Sequence, residues 1–211
     1  MEHYKTSIAA FDQQASAYNE RFMHVDIYNE SYDFFCDQII KPDADIFEIG
    51  CGPGNITRYM LDKKPGFRFL CTDAAPAMLE IAATNNPEVK TELLDCRDIQ
   101  SQKNHFDAIV CGFCFPYLCK EDCTRVIGHC ASILNEGGVF YLSLIEGDYG
   151  MSGYEQSSDG RNKAFVYYYK QDFFNNVITD THLKIIRTWK FPYQKNDGSI
   201  QNHLVLVFRK Y

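Results

Sequence analysis

Residues 46–55, which read Ile46-Phe47-Glu48-Ile49-Gly50-Cys51-Gly52-Pro53-Gly54-Asn55, decide the fold. A short apolar run leads into three glycines at alternate positions, and a helical pattern begins at Asn55. Glycine permits a sharp turn and lets a ligand touch the backbone, and the helix that follows points its free N–H groups at the turn. In a doubly wound α/β sheet, ligands bind at the carboxyl ends of the strands. The stretch therefore predicts a ligand-binding loop in such a sheet.

Strand and helix patterns alternate along the chain around this loop. They predict five parallel strands joined by helices, at residues 45–49, 67–72, 89–94, 107–112 and 139–145. The helix before the fifth strand, 121–134, is expected to stop at Gly137-Gly138. An antiparallel strand pair at 183–189 and 202–209 should follow, joined by a turn at Asn196-Asp197-Gly198. We expect a seven-stranded, mostly parallel, Rossmann-like doubly wound sheet that ends in this C-terminal pair.

Two segments should lie outside the alternating core, although we expect residues 1–211 to form a single domain. Residues 1–42 predict a helical N-terminal extension, in which Tyr4, Phe11 and Tyr18 recur every seven residues and Tyr18 is placed to cover a bound cofactor. Residues 146–169 are polar, contain Arg161 and several tyrosines, and show no period. We interpret the first segment as a lid and the second as an insertion on the substrate side.

Composition and charge narrow the class of protein. The chain has 211 residues, of which 45% are hydrophobic and 23% charged, as in an ordinary globular protein. The net charge of -7 makes nucleic acid and anionic membrane surfaces poor partners. The N-terminal sequence has no signal core, and the apolar run 108–119 is too short to span a bilayer. We predict a cytoplasmic monomer or homodimer, whose nine cysteines are reduced thiols.

The glycine spacing separates two classes of nucleotide site. A dinucleotide fold has Gly-x-Gly-x-x-Gly and binds pyrophosphate at the helix N-terminus. Here the third glycine comes one residue early, and the Glu48 carboxylate beside the turn would repel a pyrophosphate. Asp73 follows the second strand, where a carboxylate accepts ribose hydroxyls, although it could also cap a helix. The glycine spacing and Glu48 therefore argue against a nicotinamide-dependent oxidoreductase, which stays as an alternative function.

Four blocks of the sequence resemble class I S-adenosylmethionine-dependent methyltransferases. They are Glu48–Gly54, Thr72–Leu79, Leu94–Ile99 and Phe106–Ile109, in the family's order and at its usual intervals. The resemblance covers about residues 45–145 specifically. It implies S-adenosylmethionine as the cofactor and methyl transfer as the activity.

The resemblance also implies roles for individual residues. At the methionine end, the backbone of Gly50, Cys51 and Gly52 would line the cofactor, Glu48 would orient the loop and the ammonium region, and Gly112 would lie under the methionine chain.

At the adenosine end, Asp73 would hold the ribose, and Ala74 and Met78 would border the adenine. Asp95 would accept a hydrogen bond from the adenine amino group, and the Cys96 N–H would meet a ring nitrogen. For Met78 the alternative is ordinary core packing, and for Asp95 it is the polarity usual at a strand end.

The segment after the fourth strand bears on the methyl acceptor. Nucleic-acid amino methyltransferases carry Asp/Asn-Pro-Pro-Tyr/Phe at this point, whereas this chain keeps only Pro116-Tyr117 and has Cys114 at the acidic or amide position. This departure argues against a nucleic-acid amine. The aromatic, acidic lid segments favour a small acceptor that is partly apolar or carries an amine. Tyr117 is a candidate acceptor-facing group, and the sequence assigns no other catalytic residue.

No metal is expected at this site. The end of the fourth strand, Cys111-Gly112, lacks the carboxylate that magnesium-dependent catechol-type methyltransferases need. Cys111 and Cys114 have zinc-knuckle spacing, but their apolar setting indicates buried thiols. Candidate bases on residue type alone are His24, His129, His182 and His203, and none is assigned. A module that binds the cofactor without turnover remains the other alternative.

Overall fold

The computed structural model of the protein describes residues 2–156, 163–195 and 197–211, which form a mixed α/β fold. Arg161 and Asn196 lie outside the described residues. The strands are β1 (Asp45–Ile49), β2 (Arg68–Asp73), β3 (Lys90–Leu93), β4 (Phe106–Gly112), β5 (Leu134–Ile145), β6 (Gly153–Gln156), β7 (Lys163–Val166), β8 (Leu183–Gln194) and β9 (Ile200–Lys210). The α-helices are α1 (Glu2–Gln13), α2 (Ala15–Phe22), α3 (Asn29–Gln38), α4 (Asn55–Lys63), α5 (Pro76–Asn85), α6 (Lys120–Ile133) and α7 (Gln171–Val177).

The described strands build a seven-stranded sheet in the order β3-β2-β1-β4-β5-β9-β8. Strands β1 to β5 are parallel to one another, and β9 is antiparallel to both β5 and β8. The predicted mostly parallel sheet and C-terminal antiparallel pair are therefore confirmed. The pair is inserted so that β9, not β8, contacts β5. Strand order reverses between β1 and β4, and the loops after these strands leave a crevice for ligands.

Apolar residues on the two faces of the sheet form two cores. In β1, Phe47 and Ile49 belong to the core that includes α6, while Ile46 belongs to the core that includes α3 and α4. This alternation follows from the two-residue period of a strand. Helices thus cover both faces, which is why β4 is almost completely buried. None of the described helices is both long and apolar enough to cross a bilayer.

The N-terminal extension consists of the helices α1, α2 and α3, as the sequence predicted. The chain leaves helical geometry at Gln14, between α1 and α2. Helix α1 packs against α5 and β7. Residues 146–169 include a 3₁₀ turn at Tyr149–Met151 and the antiparallel β6–β7 hairpin, whose connection lies outside the described residues. Both segments meet at the carboxyl edge of the sheet.

One boundary prediction is wrong. Helix α6 ends at Ile133, close to its predicted end at residue 134, but β5 begins immediately at Leu134 and not at the predicted residue 139. Leu134 is extended, buried and paired with Phe106 across the sheet. Packing of this apolar side chain ends the helix before the glycines are reached. Gly137, with a φ of 74°, lies in the irregular start of the strand.

Candidate active site

The glycine turn between β1 and α4 is tightly constrained. Gly50 and Gly54 have φ values of 66° and 80°, in the left-handed region that favours glycine. A Cβ on Gly50 would stand 2.9 Å from the Cβ of Cys114, and one on Gly54 would stand 2.3 Å from the amide nitrogen of Asn86. The Cys51 N–H donates to the Thr72 carbonyl over 2.9 Å, which ties the turn to the end of β2. The turn therefore presents its backbone at the crevice between β1 and β4.

A first cavity of about 630 Å³ opens beside this turn. Eight of the predicted cofactor residues line it, namely Tyr18, Gly50, Gly52, Asp73, Ala74, Met78, Cys96 and Gly112. Its wall is completed by aromatic and apolar side chains of α1, including Phe11 and Ile8, and by Leu94. The first cavity thus joins the ends of β1, β2 and β4 to the N-terminal extension.

Asp73 is the anionic group of the first cavity. Its Oδ2 accepts the Gly52 N–H over 2.9 Å, and its Oδ1 accepts the Ala75 N–H over 2.8 Å. Burial raises the pKa of Asp73 above its usual value, and these N–H bonds oppose the rise. Each carboxylate oxygen has a second lone pair, so the group can also accept hydroxyl donors from a ligand.

Glu48 lies under the turn and does not line the first cavity. It is fully buried, and one carboxylate oxygen accepts the Thr57 hydroxyl and lies 3.8 Å from the Cys71 sulfur. Among the described residues, the other oxygen has no hydrogen-bond partner. Burial raises the pKa of Glu48 to about 7. Glu48 can therefore support the turn from below, but its side chain does not reach the first cavity.

Asp95 is also absent from the cavity wall. Its carboxylate caps the 3₁₀ turn Cys96–Ser101 by accepting the backbone N–H of Arg97. Its Oδ2 also accepts a hydrogen bond from Nη2 of the Arg97 guanidinium, over 2.6 Å. Burial acts to raise the pKa of Asp95, but the hydrogen bonds from Arg97 hold it below its usual value. Arg97 in turn lies 3.9 Å from the ring centre of Tyr4. The neighbouring Leu94 and Cys96 line the cavity instead.

Thiols surround the base of the first cavity. The Tyr4 hydroxyl lies 3.3 Å from the Cys96 sulfur, and Cys114 packs against Gly50. Hydrogen bonding between thiols and burial raise the pKa values of Cys96 and Cys114, so both stay protonated near neutral pH. Among the described residues, no group of three His, Cys, Asp or Glu side chains is arranged to hold a metal ion.

A second cavity of about 850 Å³ lies on the other side of the turn. The two cavities share six wall residues at their junction, namely Tyr18, Gly50, Gly52, Gly112, Phe113 and Tyr117. Cys51, which was predicted to contact the cofactor, lines only the second cavity. Tyr117 is the last residue of the 3₁₀ turn Phe115–Tyr117 and packs its ring 4.8 Å from that of Phe11. The predicted acceptor-facing residue therefore stands where the cavities meet.

Phe113 is a site residue that the sequence analysis missed. Its φ of 53° is uncommon for a residue with a side chain. Its N–H faces the carbonyl and hydroxyl oxygens of Ser143, at 3.0 and 3.1 Å. Such strained conformations concentrate at functional sites. The conformation places Phe113 in the walls of both cavities.

His203 was considered only by residue type, and the structure places it in the wall of the second cavity. Its Nδ1 lies 2.5 Å from the Tyr28 hydroxyl, and its Nε2 lies 3.2 Å from Oε1 of Gln201. Its ring stacks on Tyr193 with centres 4.7 Å apart. Burial lowers the pKa of His203 to about 4. The predicted antiparallel direction of the last strand could have revealed this position. Because β9 runs opposite to the parallel strands, its first residues lie at their carboxyl ends, and His203 is opposite Ile145 at the end of β5.

The strand order, the glycine turn and the carboxylate after β2 together define a class I S-adenosylmethionine-dependent methyltransferase fold. Residues 46–138 match the family described as the methyltransferase domain.

Solved structures show the same architecture. A S-adenosylmethionine-dependent methyltransferase from Clostridium acetobutylicum is 16% identical, with a TM-score of 0.70 over 95% of this chain and 98% of that chain. The DhpI–SAH complex is 14% identical, with a TM-score of 0.73 over 99% of this chain and 97% of that chain.

Curated relatives match part of the chain. The malonyl-[acyl-carrier protein] O-methyltransferase of Acetivibrio thermocellus is 29% identical over 105 residues, which are 49% of this chain and 36% of that protein. The chain spans about half or less of the length of the curated relatives it matches.

Proposed function

We propose that this protein is a S-adenosylmethionine-dependent methyltransferase whose acceptor is a small molecule. The observation that carries the proposal is the pair of cavities that meet at the glycine turn, one with a carboxylate suited to a ribose and one walled by aromatic rings. The first would hold the cofactor and the second the acceptor. Cys114, in place of an acid or amide, supports the exclusion of a nucleic-acid amine as acceptor.

The residues of the first cavity fit this cofactor. Asp73 retains acceptor capacity for ribose hydroxyls, and the apolar Met78 and Leu94 suit the faces of a flat base. Gly50 and Gly112 line this cavity through their backbone, and neither position has space for a side chain, because a Cβ on either would stand within 3 Å of a neighbouring side chain. When bound, the cofactor supplies a methyl group on a sulfonium, which leaves as a neutral thioether.

The chain itself would act mainly by positioning. Holding two reactants in line can supply much of the acceleration of such a displacement. Tyr18, Phe113 and Tyr117 stand at the junction of the cavities and would align the acceptor there while excluding water. Burial raises the pKa of Tyr117 far above neutral, so its hydroxyl would serve as a neutral hydrogen-bonding group.

Calorimetric titration with S-adenosylhomocysteine, S-adenosylmethionine and NADH tests the cofactor. We expect the first two to bind and NADH not to bind. Asp73→Asn should weaken binding of S-adenosylhomocysteine by roughly 10- to 100-fold, because hydrogen bonds to a charged group contribute about 1.5–3 kcal/mol. Asp62→Asn, on the exposed face of α4, is the matched control. Binding of NADH alone would favour the oxidoreductase alternative.

Transfer of labelled methyl to a defined panel of small amines, phenols and carboxylates tests turnover. We expect at least one acceptor class to be methylated, with S-adenosylhomocysteine released in equal amount. Tight binding of S-adenosylhomocysteine without transfer to any member would support the alternative of a binding module.

A further inference from the structure

The second cavity has an unusual wall, and this inference about it rests on the proposed function. Six rings surround it, those of Tyr18, Phe22, Tyr28, Tyr32, Phe113 and Tyr117, and the stacked pair Tyr193 and His203 closes one side. No described residue of this wall carries a formal charge at neutral pH, because burial keeps His203 neutral.

Among the described residues, the Arg21 guanidinium borders this wall from outside, 5.1 Å from the centre of the Phe22 ring. Arg21 donates to the Tyr193 hydroxyl over 2.9 Å, and Lys195 pairs with Glu155 over 3.2 Å. These groups line a neighbouring depression, which shares Phe22, Tyr193 and Gln201 with the second cavity. A carboxylate or phosphate acceptor inside the cavity would therefore be desolvated with no cation among the described wall residues to pair with it directly, which is costly.

Aromatic faces carry negative electrostatic potential and attract cations. Methylation of an amine uses this property. The nitrogen lone pair forms the new N–CH₃ bond, the C–S bond breaks, and its electron pair remains on the neutral thioether. Positive charge thus moves from sulfur to nitrogen, and any N–H proton of the product leaves to solvent. Rings around the nitrogen would stabilise the charge as it arrives there, whereas they give no such advantage to a carboxylate.

The polar edge of the second cavity also suits an amine. The Gln201 Oε1 lies beside Nε2 of His203, so Nε2 carries the hydrogen and Nδ1 accepts from the Tyr28 hydroxyl. The Tyr28 hydroxyl is thereby oriented as a donor to His203. Its oxygen lone pairs remain as acceptors for an N–H group of a ligand.

We infer that the second cavity recognises an amine, with the nitrogen among the aromatic rings and its N–H directed to the Tyr28 oxygen. Tyr28 and Tyr193 are then specificity-determining residues, and His203 is a positioning residue that orients Tyr28. The acceptor class is a small organic amine.

Three probes of one shape separate charge from fit. They are choline, 3,3-dimethylbutan-1-ol and 3,3-dimethylbutanoate, which are a cation, a neutral molecule and an anion. Each is titrated by ligand-observed NMR into protein saturated with S-adenosylhomocysteine. We expect choline to bind roughly 2- to 30-fold more tightly than the alcohol, the range given by cation–π energies of about 0.5–2 kcal/mol, and the anion to bind least.

Equal affinities, a preference for the alcohol or the anion, or no binding of any probe would overturn the inference. Since saturation with S-adenosylhomocysteine is measured first, its failure would instead count against the proposed function.

Variants then test the named residues. Tyr193→Leu should reduce the preference for choline over the alcohol by at least 2-fold, while Phe34→Leu, whose ring packs on Trp189 outside both cavities, should leave it unchanged. Tyr28→Phe keeps the ring and removes the hydroxyl. It should weaken binding of protonated 2-(dimethylamino)ethanol, which has an N–H, and leave choline unaffected. An equal loss for both probes in Tyr28→Phe would contradict the role of its hydroxyl.

Discussion

Replacing Glu48 by glutamine should change the pH dependence of folding stability. Glu48 is completely buried, and burial raises its pKa from 4.5 to about 7. The unfolded chain releases this proton near pH 4.5, whereas the folded chain holds it until about pH 7. The stability associated with the protonated group is therefore complete below pH 4.5 and is lost as the pH rises to about 7.

The raised pKa of Glu48 sets the size of the change in the free energy of unfolding. About 2.5 pKa units at 1.36 kcal/mol per unit give about 3 kcal/mol of stability lost between pH 4.5 and pH 7. Glutamine has the shape of the protonated acid and no charge to desolvate. Its oxygen can still accept the Thr57 hydroxyl that Glu48 accepts in the native chain. The variant should thus be similar in stability to the native protein at pH 5 and about 3 kcal/mol more stable at pH 8.

Urea unfolding at half-unit intervals from pH 5 to pH 8.5 measures this difference. The control is Glu80→Gln, an exposed glutamate on α5, which should follow the native profile. Parallel profiles for Glu48→Gln and the native protein would refute the reasoning, because they would show that Glu48 ionises in the folded state without a desolvation cost.

Other changes have equally defined outcomes. Gly50→Ala should lower the free energy of unfolding in urea by about 1–3 kcal/mol and weaken S-adenosylhomocysteine binding. The reason is that Gly50 has a φ of 66° and that an added Cβ would meet Cys114. A variant as stable as the native chain would contradict this. Tyr117→Phe should lower turnover less than 10-fold, whereas Tyr117→Ala, which removes the ring from both cavities, should cost more; the reverse order would make the hydroxyl essential. EDTA should leave the melting temperature and cofactor binding unchanged, and a drop would revive a metal bound by thiols. Sedimentation should show a monomer or homodimer.

The cofactor side of the site was largely predictable because its determinants are local in sequence. Helix α4 begins at Asn55, as the sequence predicted, directly after Gly54. Asp73 is the last residue of β2 and Gly52 lies in the turn that follows β1, and parallel strands bring their carboxyl ends together. The side chains that failed to reach the cavity, Glu48 and Asp95, did so because nearby partners hold them.

The acceptor side could not be predicted in this way. Tyr28 and His203 are 175 residues apart in sequence and come together only because β9 is inserted between β5 and β8. That insertion depends on pairing between whole strands, which hydrophobic periodicity does not specify. The positive φ of Phe113 depends on Ser143 in the neighbouring strand, and no local pattern announces it. The expectation of a cytoplasmic location likewise remains a prediction from the N-terminal sequence.

The first cavity should tolerate substitutions less well than the second. The first cavity rests on backbone geometry, in which Gly50 and the hydrogen bonds of Asp73 leave little freedom. The second cavity rests largely on side chains contributed by the N-terminal extension and by β8 and β9, although Gly50, Cys51 and Gly52 of the turn also line it. Substitutions at Tyr28 or Tyr193 should therefore alter the acceptor while leaving cofactor affinity intact. Tyr18, Phe113 and Tyr117 are the exceptions, because their rings line both cavities and a change in any of them alters both at once.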